Sequence, residues 1–322
     1  MTSDIFSIFN PGKIKINGEL IDFTIKDLEI LENLGSGAFG ETKKALYRPK
    51  DLVLAVKYEP KPSDIESVKM KYLKTEIMAL QNSDIPEIVT YFGMTFDEGK
   101  CVLLMEFMNS DVDSLYKKFK EINPGKWFDE RALCIIAVKL LKALDYLKEE
   151  RRVLHRDIKP DNVLVKKSGE VKLCDFSMAA IFERSKSAAT TKDTGAPGYR
   201  APERFLGTTE DDGRFGVRSD VWSLGITLVE IARLQHPYNK RGVKSFEMIV
   251  NIVSKDPPFL NLDESFNNGY SKETVDFINT CLTKEVSNRP YYKDLVEKDF
   301  YKKNIMAEDN NAYMEKFLQN FF

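Results

Sequence analysis

The hydrophobic period of this 322-residue chain changes once, and that change restricts the fold more tightly than any single motif. From Leu28 to about Met105 the apolar residues come in short β-type runs with one helical stretch among them. From about Asp129 onward long helical periodicities dominate, as in "DERALCIIAVKLLKALDYLKEE". The pattern predicts an α+β chain, a small sheet lobe followed by a larger helical one. No internal repeat or low-complexity tract interrupts it.

Composition narrows the partners. Hydrophobic residues make up 43% and charged residues 30%, values of a folded globular chain. The 48 basic and 50 acidic side chains leave a formal charge of −2, so there is no global field to attract nucleic acid or an anionic membrane, and neither is expected as a partner. Cys101, Cys134, Cys174 and Cys281 are far apart and form no C-x-x-C pair, which argues against a zinc site or a disulfide framework. The opening residues carry Asp4 and Pro11 and lack the basic start and apolar run of a secretory signal. The run "LCIIAV" stops at Lys139, well under the roughly 20 residues that span a bilayer. The expected location is the cytoplasm, or also the nucleus.

The stretch "LENLGSGAFGETKK" holds Gly35, Gly37 and Gly40 in the spacing G-x-G-x-x-G. Glycine lets backbone N–H groups approach a ligand closely, which suits a phosphate cradle. The spacing alone also fits a dinucleotide-binding βα turn, and Glu59 sits near the distance of its ribose-binding acid. Only residues 41 to 51, with Pro49 among them, separate Gly40 from the next strand, "LVLAVKY". A crossover helix hardly fits there, so the loop is expected to be the tip of an antiparallel hairpin lying over phosphates. Lys57 ends that strand. In "SDIESVKMKYLKTEIMAL", Leu73, Glu76, Ile77 and Leu80 share one helical face, which turns Glu76 inward. A Lys57–Glu76 pair holding the ammonium against nucleotide phosphates is therefore expected. Glu66 is the competing carboxylate, better placed to meet the helix dipole.

The densest chemistry lies in "VLHRDIKPDNVLV", which puts His155, Arg156, Asp157, Lys159 and Asn162 in one short loop. The following "VLVKKSGEVKLCDF" reads as two short strands joined at Ser168 and Gly169, which return Asp175 to that loop. Asp157 can accept or orient a hydroxyl proton. Asn162 and Asp175 offer hard oxygen ligands for Mg²⁺, and Lys159 can neutralise charge on a transferred phosphoryl group.

In chain order, "GSGAFG", "AVK", Glu76, "HRDIKPDN", "CDFS", "APE" at Ala201 to Glu203 and "SDVWSLG" from Ser219 resemble the signature set of the protein kinase family, over residues 28 to about 301. The resemblance implies a bilobal fold with a β-rich N-lobe carrying one main helix (28–105), a hinge (106–110) and a mainly helical C-lobe (111–301). Residues 1–27 would then be an N-terminal extension and 302–322 a tail that is a candidate docking helix. It implies ATP and Mg²⁺ as cofactors. Nucleotide contacts would come from Leu34, Gly35, Ser36, Gly37, Ala38, Phe39, Gly40, Thr42, Ala55, Lys57, Met105, Glu106, Met108 and Leu164. Met105 would stand at the back of the adenine pocket, though a core methionine fits that position equally. In that family Asp220 braces the catalytic loop and Arg289 pairs with Glu203, and both positions match here.

A narrower resemblance follows from "MEFMNSDVDSLYKKF", "APERF" and "RSDVWSLGITLVEIARLQHPY", which look like MAP kinase kinases and most like the stress-activated branch. It implies a MAP kinase substrate phosphorylated on Thr and Tyr, and activation by an upstream MAP kinase kinase kinase at Ser187 and Thr191. Ser185 and Thr190 compete for that assignment. Phosphates there would pair with cations such as Arg156. The strip "PGKIKINGEL" is a candidate MAP kinase docking peptide. Tyr313, Met314, Phe317, Leu318 and Phe321 form an apolar stripe that either packs on its own domain or receives the upstream kinase. Two positions depart from the family. Thr42 replaces a valine, and Ser177 stands where the family has a glycine. In a left-handed conformation Ser177 would cost about 1 to 2 kcal/mol. That departure motivates the alternative of a nucleotide-binding scaffold with little turnover. Cys174 is expected to be an inert thiol near the nucleotide, and His236 and Trp222 to serve packing.

Overall fold

Seven antiparallel strands open the chain, in the order β2-β1-β6-β7-β5-β4-β3. They are β1 (Lys13–Ile16), β2 (Glu19–Asp22), β3 (Leu28–Gly37), β4 (Gly40–Tyr47), β5 (Leu52–Pro60), β6 (Tyr91–Asp97) and β7 (Lys100–Glu106), with helix α1 (Val68–Leu80) between β5 and β6. The structure, a computed structural model, describes residues 11–37, 40–63, 67–81, 83, 85–181, 195–206, 216–238, 245–261 and 270–322. Two compact units divide it, Met1–Met108 and Asn109–Phe322.

In the first unit, strand alternation sorts side chains to two faces. Leu54 and Val56 of β5 and Val102 and Leu104 of β7 join Ile14, Ile16, Phe23, Ala45 and Tyr47 in one core cluster. Cys101 and Leu103 point the other way and pack with Met94 against Met70, Leu73 and Ile77 of α1. Each of these α1 side chains contributes roughly 1.5 to 3 kcal/mol by leaving water. Ser67 caps the helix by accepting the Met70 N–H at 3.2 Å. Two-residue turns with positive φ at both positions, Asn17-Gly18 (50° and 86°) and Glu98-Gly99 (44° and 74°), close the β1–β2 and β6–β7 hairpins.

The N-terminal residues are part of this sheet. β1 pairs with β6, Lys13 opposite Met94. Ile14 and Ile16 are buried while Lys13 and Lys15 face outward. The apolar half of the candidate docking strip is thus spent in the core.

The second unit is mainly helical: α2 (Val112–Ile122), α3 (Glu130–Glu149), α4 (Glu203–Leu206), α5 (Val217–Arg233), α6 (Ser245–Ser254), α7 (Lys272–Cys281), α8 (Tyr292–Val296), α9 (Asp299–Ile305) and α10 (Asn310–Leu318). Short strands β8 (Ser110–Asp111), β10 (Val163–Val165) and β11 (Val171–Leu173) form one small sheet, and β9 (Val153–Leu154) pairs with β12 (Ala180–Ile181). Helix α5 is apolar on nearly every side and buried along its length, Trp222 fully so. The C-terminal stripe packs on its own unit. Met314, Leu318 and Phe321 are buried, and Phe317 lies 5.5 Å from Phe128 and 6.1 Å from Phe119 between ring centroids. Tyr313 donates its hydroxyl to Asp129 at 2.9 Å, and Arg131 pairs with Asp309. Among the described residues no helix is long and apolar enough to cross a membrane.

Candidate active site

Register does the positioning in the first unit. Gly35 lies opposite Thr42, Thr42 opposite Lys57, and Lys57 opposite Leu103, one row running across four strands. The glycine segment is a hairpin tip, paired out to Gly37 and Gly40. Gly40 has φ +154°, and a Cβ there would lie 1.8 Å from the Tyr58 carbonyl oxygen, so β4 can return this close to β5 only as glycine. A crossover helix after Gly40, the dinucleotide alternative, does not occur; β4 does. Leu34 and Ser36 sit on the same end of β3, Ala55 on β5. Ala38 and Phe39 fall outside the described residues, as does Glu66.

Lys57 Nζ stands 2.9 Å from Glu76 Oε1, the expected partner. It also stands 2.6 Å from Glu59 Oε1, a contact the motif reading missed. The signal was present: Glu59 is two residues beyond Lys57, and strand alternation turns both to one face. Met105 is buried at the end of β7 and Met108 just after it. Glu106 commits its N–H to the Thr90 carbonyl at 2.9 Å and accepts the Thr90 N–H on its carboxylate at 2.7 Å.

In the second unit one buried carboxylate organises the loop after β9. Asp220, on α5, accepts the N–H groups of His155 and Arg156, each at 3.0 Å, and the Tyr292 hydroxyl at 3.2 Å. Burial pushes the Asp220 carboxyl up, against the pull of His155 and Arg204. These bonds hold Arg156 at φ +71° and fix the residue that follows it. Asp157 is then clamped on both oxygens. Its Oδ1 accepts the Ala196 N–H at 2.8 Å, and its Oδ2 lies 3.1 Å from Asn162 Nδ2 and 3.2 Å from Lys159 Nζ. Gly195 permits this approach: at φ +82° it leaves the space where a Cβ would come within 2.5 Å of the Arg156 carbonyl oxygen. Burial pulls the Lys159 pKa down, but Asp157, with Asp161 and Asp175, outweighs it and leaves the ammonium above its ordinary value.

The β10–β11 hairpin returns Asp175 as expected. The Cys174 N–H reaches the Asn162 carbonyl at 3.0 Å, and the Cys174 carbonyl lies 3.0 Å from His155 Nε2. Phe176 is buried edge-on to the His155 ring, 5.1 Å between centroids. Leu164 is on β10. The expected strain at Ser177 does not arise. The left-handed residue is Asp175, at φ +57°, and Ser177 is outside that region with its N–H 3.4 Å from Asp175 Oδ1. The substitution therefore removes no conformation that this backbone needs.

The donor chemistry fits magnesium with a nucleotide. Asn162 spends its amide N–H groups on the Asp157 carbonyl (2.7 Å) and carboxylate, so Oδ1 is the atom it would offer to a metal, and Asp175 follows one residue after the Cys174–Asn162 bond. Mg²⁺ takes one or two protein oxygens and fills its shell from phosphates and water, so no larger protein cage is required. Among the described residues no cluster of three or more His, Cys, Asp or Glu side chains is arranged to hold a metal.

Ser187, Thr191, Ser185 and Thr190 lie outside the described residues. Burial draws the Arg204 guanidinium down to about 10, and Arg156 and then Arg200 push it further the same way, while Asp220 and Glu203 oppose them. Arg289 is fully buried and bidentate to Glu203, at 2.8 and 3.1 Å. A feature missed from sequence is a cavity of about 540 Å³ lined by Asp113, Tyr116, Asp161, Tyr199, Glu230 and His236, among others. Glu230 accepts the hydroxyls of Tyr116 (2.7 Å) and Tyr199 (2.5 Å), yet burial still raises its carboxyl to about 7. Its position as a lone acid inside "LVEIA" was the available cue. His236 packs edge-on to Tyr199 at 4.9 Å, and burial lowers it to about 4.

A family model described as a protein kinase domain matches residues 28–301. The chain is 39% identical over 284 residues to MAP kinase kinase mkk-4 of Caenorhabditis elegans, covering 88% of this chain and 76% of that one. It is 34% identical over 289 residues to the dual specificity mitogen-activated protein kinase kinase sek-1 of the same organism, covering 89% and 82%. With human dual specificity mitogen-activated protein kinase kinase 7 it shares 35% over 292 residues, covering 91% and 67%.

Proposed function

We infer, because the chain belongs to the protein kinases and among them to the MAP kinase kinases, that it phosphorylates both a threonine and a tyrosine in the activation segment of a MAP kinase. At the coarser level it is a protein kinase of a MAP kinase cascade. An upstream kinase activates it at Ser187 and Thr191. The buried guanidinium groups of Arg156, Arg200 and Arg204, whose mutual repulsion is felt at Arg204, support a role in receiving those phosphates.

The observation that carries this reading is the clamp on Asp157. Three groups hold its carboxylate, from Asn162, Lys159 and Ala196, so it needs no rearrangement to take a hydroxyl proton from the protein substrate. Lys159 carries its positive charge beside that carboxylate and screens the charge that develops on transfer. Asn162 and Asp175 are the residues that would hold Mg²⁺, and Lys57, kept in place by Glu76, is the one that would meet phosphate oxygens. ATP with Mg²⁺ supplies the transferable phosphoryl group and neutralises its charge. The backbone around Gly35 and Gly37 and the groups of Leu34, Ala55, Met105, Glu106, Met108 and Leu164 serve nucleotide binding.

The test is a kinase assay on a panel of recombinant MAP kinases. A Ser187→Glu, Thr191→Glu chain is expected to produce paired threonine and tyrosine phosphorylation on at least one of them. The same chain with Asp157→Asn is expected to lose it by orders of magnitude. Equal signal from the two proteins would end the enzymatic reading in favour of a scaffold.

A further inference from the structure

The ammonium of Lys57 is shared between two carboxylates. Nζ lies 2.9 Å from Glu76 Oε1 on α1 and 2.6 Å from Glu59 Oε1 on its own strand. Strand alternation sets Lys57 and Glu59 on the α1 face of the sheet, where Lys57 is opposite Leu103 and Glu59 opposite Cys101, both members of the cluster under the helix. All three charged side chains are mostly withdrawn from water, at 11% exposure for Lys57, 14% for Glu59 and 3% for Glu76.

Two carboxylates against one ammonium leave this group with a net charge of −1. At the neighbouring Cys101 thiol burial raises the pKa first, then the charge of Glu59, then that of Glu76, while Lys57 and Lys61 pull the other way. A single Lys57–Glu76 pair would be neutral and would leave two of the three N–H donors for phosphate. Here the second carboxylate adds an ion-pair contact at 2.6 Å, with Glu59 Oε1 buried and in no hydrogen bond, and places a like charge close to where a polyanion must come.

We propose that Glu59 is a positioning residue that holds Lys57 back from the nucleotide, so that a triphosphate must displace the Glu59 carboxylate to reach the ammonium while Glu76 keeps its place. The proposal rests on the nucleotide-binding reading above and adds to it a residue that sets affinity. Glu76 anchors the lysine from the helix; Glu59 competes for it from the strand. Removing the competing charge while keeping the side-chain shape should tighten binding of a phosphate-bearing ligand by about tenfold, the order expected for one like-charge contact in a partly buried site. A ligand without phosphates should be indifferent to it.

The experiment compares the full chain with its Glu59→Gln variant by isothermal titration calorimetry, using MgATP and adenosine as separate titrants. MgATP is expected to bind the variant about tenfold more tightly and adenosine equally to both; in the kinase assay, KM for ATP falls while kcat is unchanged. Equal MgATP affinities would overturn the proposal, and so would a parallel change for adenosine, which marks a general structural effect. Glu59→Met, of similar length, repeats the test without a new amide and is expected to tighten MgATP as well. A Lys57→Met chain separates the two levels. If it binds MgATP as well as the unaltered chain, the role of Lys57 in affinity fails and the proposal with it; if neither chain binds MgATP, the nucleotide reading itself fails. If it binds more weakly and Glu59→Gln makes no difference, Glu59 alone was misjudged.

Discussion

Replacing Glu230 by glutamine should remove one slope from the pH dependence of folding. In the folded chain its carboxyl titrates near 7, against an ordinary value of 4.5, because burial outweighs the two tyrosine hydroxyls that stabilise the anion. Between those two values the folded state holds a proton that the unfolded chain has released. Stability from this group is therefore greatest below about pH 4.5, falls as pH rises through the window, and is flat above about pH 7. At 1.36 kcal/mol per unit, the full drop is about 3 kcal/mol. Glutamine mimics the protonated state, with an oxygen to accept one hydroxyl and an N–H₂ to meet the other. His236 contributes the opposite slope: burial keeps it neutral to about pH 4, so its share of stability increases with pH from about 4 to its ordinary 6.5. The two terms largely offset each other in the unaltered chain, and only the difference between the two proteins isolates Glu230. Urea unfolding at half-unit steps from pH 5 to 8.5 should show Glu230→Gln exceeding the parent by about 1 kcal/mol near pH 5 and by about 3 kcal/mol at pH 8. Parallel curves, or a variant less stable at pH 8, would refute the reasoning.

Other outcomes follow from the same structure. Arg289→Met should cost about 3 to 5 kcal/mol in chemical denaturation, since it leaves the Glu203 carboxylate buried without its bidentate partner; adding Glu203→Gln should recover part of that, and strictly additive losses would contradict the pairing. Gly40→Ala should lower stability by more than about 1 kcal/mol in thermal unfolding, because the added carbon meets the Tyr58 carbonyl at a φ that L residues avoid; an unchanged melting temperature would show that the tip relaxes freely. Ser177→Gly should destabilise by a few tenths to about 1 kcal/mol, through the extra freedom of the unfolded chain, and a stabilised variant would mean that the serine is strained after all.

Much of the architecture was legible because it rests on short-range pattern. The two hydrophobic periods announced a sheet and then helices, and Glu76 could be aimed at Lys57 because helix and strand periodicities are regular enough to orient single side chains. The hairpin at Gly35 to Gly40 followed from the length of chain available before β5. Other features depend on what the fold brings next to them. Nothing local marks Gly195 as the residue that lets Ala196 reach Asp157, since the two segments are distant in sequence. Glu230 read as one polar residue in an apolar helix until Tyr116 and Tyr199 arrived from elsewhere in the chain. The strain assigned to Ser177 failed for a different reason: positive φ was transferred with a motif letter, whereas the backbone here places it at Asp175.

The β1–β2 hairpin has a practical consequence for anyone who trims the protein to its recognisable portion. The stretch matched by the kinase family starts at residue 28, after both strands. A fragment cut at that point would lose Ile14, Ile16 and Phe23 from the sheet's interior and lay bare the free margin of β6, a ready template for pairing with another copy. Recombinant versions should begin no later than residue 11, or insolubility caused by the scissors will be mistaken for a property of the enzyme.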